Sequence, residues 1–352
     1  MYQRGGFEMK KSYSFVSIVI CFCMFFVMGT FSIVHQSNAE EMITWKCQNY
    51  FMSKESIDNM NKFLDRVKQK SNGRLVIKGY SANQLVKVKG VLDAVSKGAI
   101  EVGWGVGVYH TGKIPEAAIE FGLPFSWDTW DEVKDVYHKY GLLEKIRDAY
   151  GERGIYFLSP LPAGGLVLFT KKRLENLDDI KGLKIRSTGM EAKILTTLGV
   201  STVHIPGSEL YTALQRGTVD GAIYVAMGLT QMKFNEVLDY VYYPPFNKVI
   251  TDVYIGQKAW NSLTPDLQRI IQESIDEILD EINEGHKTAD AFALLNCLID
   301  RSLKGAINFS DADVAKLRTI ALQEWEKIAA KSPRCAEMIE IIKRFAKDKG
   351  KI

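Results

Sequence analysis

Short β-branched runs alternate with amphipathic helical stretches along most of this chain, and glycine closes nearly every helix. That pattern demands an α/β architecture. Residues 43–51 read as a strand. Residues 53–70 follow as a helix with Ile57, Met60, Phe63, Leu64 and Val67 on one face, capped by Ser53 or Ser56. Asn72-Gly73 breaks the chain before a strand at 74–80, a helix at 85–97 and a strand at 99–108. This succession predicts a parallel lobe. A helical pair at 132–153 ends at Gly154, and residues 155–160 are apolar and extended. The pattern then repeats, with strands at 166–170, 183–186, 200–205 and 219–224 and helices at 192–198 and 208–216 closed by Gly199 and Gly217. A second lobe of the same kind is expected.

The remainder is different. Residues 237–246 and 249–257 are β-prone, separated by Pro244-Pro245. Helical periodicity then runs from 265 to 303, interrupted only by Gly285, longer than one lobe needs and suited to bracing two. Helices at 311–330 and 333–347 follow. At 352 residues the chain exceeds the roughly 250–300 at which a single core stops growing. The acids Asp276, Glu277, Asp280, Glu281 and Glu284 read as a solvated face of the long helix.

The N-terminus carries a processing signal. Met9-Lys10-Lys11 is basic, residues 14–28 are apolar, and Ser37-Asn38-Ala39 supplies small residues for cleavage after Ala39. The fifteen-residue apolar run is short of the ~20 a spanning helix needs. Met9 reads as the initiator. Export to the periplasm follows as an expectation. Removing residues 1–39 takes away Arg4, Lys10, Lys11 and Glu8 and lowers the net charge from +3 to +1. Such a surface offers no nucleic-acid groove, so selectivity for an anion must come from a local site. Cys47, Cys297 and Cys335 remain, an odd number that leaves one bridge or three buried thiols open.

No metalloprotease, Walker or nucleophile-elbow motif is present, the histidines are dispersed, and no metal-ligand cluster is visible. No enzyme activity, cofactor or metal centre is expected, although a cation beside a ligand stays open. Gly103, Gly105 and Gly107 alternate without dinucleotide spacing, as His110 stands where the last glycine would fall; they read as a turn or a close approach of backbone to ligand.

The informative words are Leu177-Asp178-Asp179-Ile180-Lys181-Gly182-Leu183-Lys184-Ile185-Arg186, Leu198-Gly199-Val200, and Ile205-Pro206-Gly207-Ser208-Glu209-Leu210-Tyr211 through Gly217-Thr218-Val219-Asp220-Gly221. With Ser71-Asn72-Gly73-Arg74-Leu75, Leu123-Pro124-Phe125 and Leu263-Thr264-Pro265, their order and spacing resemble the extracytoplasmic solute receptors of TRAP transporters, the DctP family. The resemblance covers essentially all of the chain after residue 39. It implies a two-lobed periplasmic-binding-protein-like α/β fold with a long helix along both lobes. The lobes would be 40–163 with 248–285, and 164–247, with residues 286–352 packing across both. It also implies a small organic acid as ligand, TRAP membrane subunits as partners, and Arg186 as the carboxylate anchor. Physics agrees on Arg186: it ends a predicted strand, and its planar donor fork matches a carboxylate.

Departures from the family pattern bear on the ligand. Leu166 stands where many relatives place a second arginine, and Tyr224 where many have asparagine. One fixed positive charge among aromatic walls argues for a monocarboxylate with a partly apolar body rather than a sugar acid. Tyr224, Trp104 and Tyr109 are the leading wall candidates, with Phe125 and Tyr243 behind them. Glu209 either orients Arg186 or is a first-turn helix charge. The rival function is a ligand-sensing input to a membrane signalling receptor.

Overall fold

The structure, a computed structural model, describes residues 42–352. The expected export signal lies outside the described residues, and no helix among them is long and apolar enough to cross a membrane.

The strands are β1 (Ile43–Asn49), β2 (Leu75–Tyr80), β3 (Val102–Gly105), β4 (Ile155–Thr170), β5 (Lys184–Arg186), β6 (Ser201–Val203), β7 (Gly221–Val225), β8 (Tyr240–Gly256) and β9 (Gly305–Asn308). They form one mixed sheet in the order β2-β1-β3-β8-β4-β7-β5-β6, with β9 added beside β8. The parallel pairings expected within each lobe are present: β1 with β2 and β3, and β5 with β6 and β7. The expectation of two all-parallel lobes is corrected, because β8 runs antiparallel to β3 and to β4, and β4 antiparallel to β7.

β4 and β8 each merge two segments that read as separate strands. Prolines at 160, 162, 244 and 245 break the local pattern, since proline donates nothing to a ladder. Irregularities at Phe157/Ser159, Pro162/Gly165 and Leu166/Leu168 absorb the prolines and let the pairing continue. The result is an antiparallel ribbon running through both lobes. Ile155–Pro162 pairs with Gly256–Ile250 on the side of β3, and Gly165–Thr170 with Lys248–Tyr240 on the side of β7.

Three apolar clusters fill the molecule. One gathers Phe63, Val102, Phe157 and Ile271 around the first strands; the other two, containing Ile185 and Leu195 or Val167 and Leu210, cover opposite faces of the sheet around β5 and β7. The helix Pro265–Ile299 begins with proline in its first turn, where no amide is needed, and runs 35 residues, about 50 Å at 1.5 Å per residue. Ile271 to Ile282 enter the first cluster and Ala293 and Cys297 the third, so the helix braces both lobes. Gly285 does not interrupt it. The acidic stripe is not simply solvated: Glu277 pairs with Arg66 and Lys70, and Glu281 with Lys62, all on the helix Lys54–Lys70. Half-exposed pairs of this kind contribute modestly. Cys47, Cys297 and Cys335 are buried and free.

Candidate ligand-binding site

Asn176 caps the turn Leu177–Ile180 in a reciprocal capping box with Asp179, and Gly182 takes a left-handed conformation (φ +80°) that only glycine adopts without strain. These features deliver the chain into β5, whose alternation buries Ile185 in one core and turns Arg186 to the opposite face. Arg186 is the last residue of its strand and only 7% exposed.

Two backbone carbonyls hold its guanidinium. Nε donates to Ile205 O and Nη1 to Ile223 O, both at 2.9 Å. The plane lies over Tyr224, 5.4 Å from Cζ to the ring centroid. No carboxylate pairs with it among the described residues, and three of its five N–H groups find no acceptor there. Burial lowers its pKa; Tyr224, Tyr109 and Glu191 push the other way. Gly207 is required beside this site, since a Cβ there would come within 2.8 Å of the Tyr224 hydroxyl. Tyr109, 45% exposed, comes from the first lobe and stacks on Tyr50 at 6.3 Å. Desolvation lowers the His204 pKa, and the charges of Arg186 and Lys89 lower it further, so the positive charge here is theirs and not the imidazole's.

The fold therefore brings Arg186, Tyr224 and Tyr109 together. Trp104 is elsewhere, 3% exposed in the first core with its ring 6.1 Å from Phe63. Glu209 is exposed, and no hydrogen bond joins it to Arg186. Phe125 packs in the second core, and Tyr243 lies against the third.

The acid that does influence Arg186 is Glu191, 1% exposed in the first turn of the helix Gly189–Thr197. Its Oε1 accepts from Asn247 Nδ2 at 3.0 Å, and the same amide group reaches Gly122 O at 3.0 Å. Burial raises the Glu191 pKa to about 7 against the lowering effects of its backbone bond, Asn247 and Arg186. Nothing local in the sequence marks Glu191, an ordinary first-turn acid, or Asn247, an amide in an aromatic strand.

The glycines at 103, 105 and 107 make room for something other than a ligand. A Cβ would fall 2.3 Å from the Tyr254 ring at Gly103, 2.6 Å from Asp252 Oδ1 at Gly105 and 1.6 Å from Glu120 Oε2 at Gly107. Beneath them lies a buried polar cluster. The Tyr50 and Tyr254 hydroxyls meet at 2.5 Å, Tyr50 faces His110 Nε2 at 3.3 Å, and Tyr150 donates to Asp252 at 3.4 Å. Burial raises the pKa of Glu120 and Asp252, the charge of Asp252 opposes ionisation of Glu120 further, and burial drops the His110 pKa to about 4.

The two-lobed α/β fold is that of periplasmic solute-binding proteins. The chain belongs to the bacterial extracellular solute-binding protein family 7, DctP, whose profile matches residues 53–332. It is 28% identical over 293 residues to the monocarboxylate 2-oxoacid-binding periplasmic protein of Nostoc sp., covering 80% of this chain and 78% of that one. Among solved structures, a TRAP periplasmic solute-binding protein from Colwellia psychrerythraea with bound calcium and pyruvate is 26% identical. It superposes with a TM-score of 0.79, over 87% of this chain and 94% of that one. A relative from Pseudoalteromonas atlantica with bound sodium and pyruvate is 25% identical at a TM-score of 0.78, over 88% and 95%.

Proposed function

We propose that this chain is an exported periplasmic receptor that captures a small monocarboxylate in the cleft between its lobes and delivers it to TRAP-type membrane subunits. In this reading residues 40–163 with 248–285 form one lobe, 164–247 the other, and 286–352 brace them. The observation that carries it is Arg186, a buried guanidinium with carbonyl and aromatic partners but no counter-ion. An unpaired buried charge is costly, and guanidinium cannot discharge itself by losing a proton. An arriving carboxylate supplies the missing acceptors.

Ile205 O and Ile223 O fix the fork before the ligand arrives, so little orientation is lost on binding. Tyr224 supports the guanidinium face, and Tyr109 supplies a wall from the opposite lobe. Closure over the acid excludes water and strengthens the charge-assisted bonds. The closed form is what the membrane subunits would select. Two relatives hold pyruvate with calcium or sodium. Here Glu191 Oε2 and Asn247 Oδ1 are buried oxygens without a partner among the described residues, a donor type that suits a hard cation.

The test is a thermal-shift screen of ligand-stripped protein lacking residues 1–39 against pyruvate, lactate, other 2-oxo and 2-hydroxy monocarboxylates, malonate and succinate, with and without calcium or sodium. A ligand binding only the native state raises its melting temperature. A shift with monocarboxylates, absent in Arg186→Ala, supports the reading. Tight binding of C4-dicarboxylates with no response to monocarboxylates would overturn the monocarboxylate assignment.

A further inference from the structure

Away from Arg186, a second contact joins the lobes without belonging to the anion site. Gln231 lies at the end of the short helix Gly228–Gln231, which follows β7, and its Nε2 donates to Glu55 Oε2 at 3.1 Å. Glu55 lies in the first turn of the helix Lys54–Lys70, which follows β1. Both helices start from carboxyl ends of strands with parallel neighbours, the ends that border a ligand cleft in such sheets.

The long helix passes beside both partners. His286 Nδ1 stands 3.2 Å from the other Glu55 oxygen, with the His286 and Glu55 side chains 16% and 23% exposed. One turn on, Asp290 Oδ1 accepts from the Met227 amide at 2.7 Å, directly before the helix that carries Gln231. Glu55 is thus presented from the first lobe beside His286, and Gln231 from the second on a helix whose start is tied to Asp290. Neither side chain is among the groups around Arg186.

From this arrangement we infer that the Gln231–Glu55 hydrogen bond is a latch that holds the cleft closed, setting how long any ligand stays bound without touching it. The inference rests on the proposed closing of the lobes over a ligand, but not on which acid is bound. In this reading, opening about the β4–β8 ribbon parts Gln231 from Glu55, whereas the Asp290–Met227 bond ties the long helix to the second lobe and stays in place. The bond is charge-assisted, an amide N–H donating to a carboxylate oxygen, which makes it stronger than a neutral pair. A latch of this type slows dissociation and leaves association largely unchanged.

The experiment labels one exposed position in each lobe, Lys68→Cys and Lys172→Cys, in the chain lacking residues 1–39, where the three native thiols are buried. Interlobe distances are measured with and without pyruvate, alongside pyruvate dissociation rates. Gln231→Ala is expected to move the population toward the long distance and to speed dissociation about threefold to tenfold. Glu55→Gln keeps a carbonyl acceptor and should fall between Gln231→Ala and the parent. Distances and dissociation rates in Gln231→Ala that match the parent would overturn the latch. A parent that fails to bind pyruvate would count against the proposed ligand alone, and the ligand-free distances would then decide the latch by themselves.

Discussion

The two lobes bury ionisable groups near their strand ends and resolve the cost in opposite ways. Around β5 a guanidinium is buried with two carbonyls, an aromatic face and unspent donors. Around β3 two carboxyls, Glu120 and Asp252, are buried with tyrosines and a histidine, and burial drives them toward their neutral forms. The difference is one of acid strength. A carboxyl displaced into an apolar interior takes up a proton and stops being a charge, whereas guanidinium keeps its proton at any accessible pH. The first lobe therefore sheds its buried charge within the fold, whereas the Arg186 guanidinium of the second stays charged and keeps donors that an anion would satisfy.

The sharpest way to break this comparison is at Arg186. Arg186→Ala should weaken binding of the responsive acid by about 100-fold or more, and Arg186→Lys should lose much of that because the fork is gone. Isothermal titration checks both, and an unchanged affinity in Arg186→Ala would remove the second half of the contrast. Next in size is Gly107→Ala. Its methyl would collide with Glu120 Oε2, so the variant should lose roughly 3 kcal/mol of stability in urea denaturation. Glu120→Ala in the same chain should restore part of that loss. No loss in Gly107→Ala would mean that the buried acid is not where the first lobe places it.

The neutral state of the first-lobe acids has a pH signature. A carboxyl whose folded pKa is raised contributes stability that is fully present below its unfolded pKa, near 4, and is lost as pH rises toward the folded value. His110, lowered to about 4, acts in the opposite sense, losing stability as pH falls from about 6.5 toward 4. Above pH 6.5 the histidine is neutral in both states and the raised carboxyls act without its opposition. Stability of the parent should decline from there upward, by up to about 1.4 kcal/mol per unit for each group still titrating. Asp252→Asn should flatten the decline, and a slope identical to the parent's would refute the neutral-acid account.

The smallest expected effect sharpens the second lobe. Glu191, with its pKa raised to about 7, gains a negative charge near Arg186 as pH passes through 7. Acid binding should therefore weaken a few-fold between pH 6 and 8, and Glu191→Gln should remove that dependence. Titrations at the two pH values in both proteins separate this from any change in the ligand, which stays ionised throughout.

Local pattern carried much of the architecture. The alternation of strand and helix, the glycine stops, the Ser53 cap and the brace beginning at Pro265 were legible because each depends on a few neighbouring residues. The family words placed Arg186 at a strand end, and the geometry leaves that guanidinium unpaired. Pairing between distant segments was not legible. Prolines in β4 and β8 look like breaks until the bulges that absorb them are known, and the direction of β8 beside β3 depends on residues some 150 apart in sequence.

The site divides the same way. Its anchor was readable because one residue type at one strand end carries the chemistry. Trp104 and Glu209 looked equally suited by position, but which face of a strand or helix meets the cleft is decided by packing: Trp104 turned into the core, and Glu209 faces solvent. The three alternating glycines signalled a special backbone, yet only the approach of Tyr254 and Asp252 from β8 and of Glu120 from a short helix shows what they make room for. The sequence by itself determined which groups must be charged, capped or turned, because those properties are local. The tertiary structure decided which buried groups keep their charge, because desolvation and partnership are properties of the surroundings.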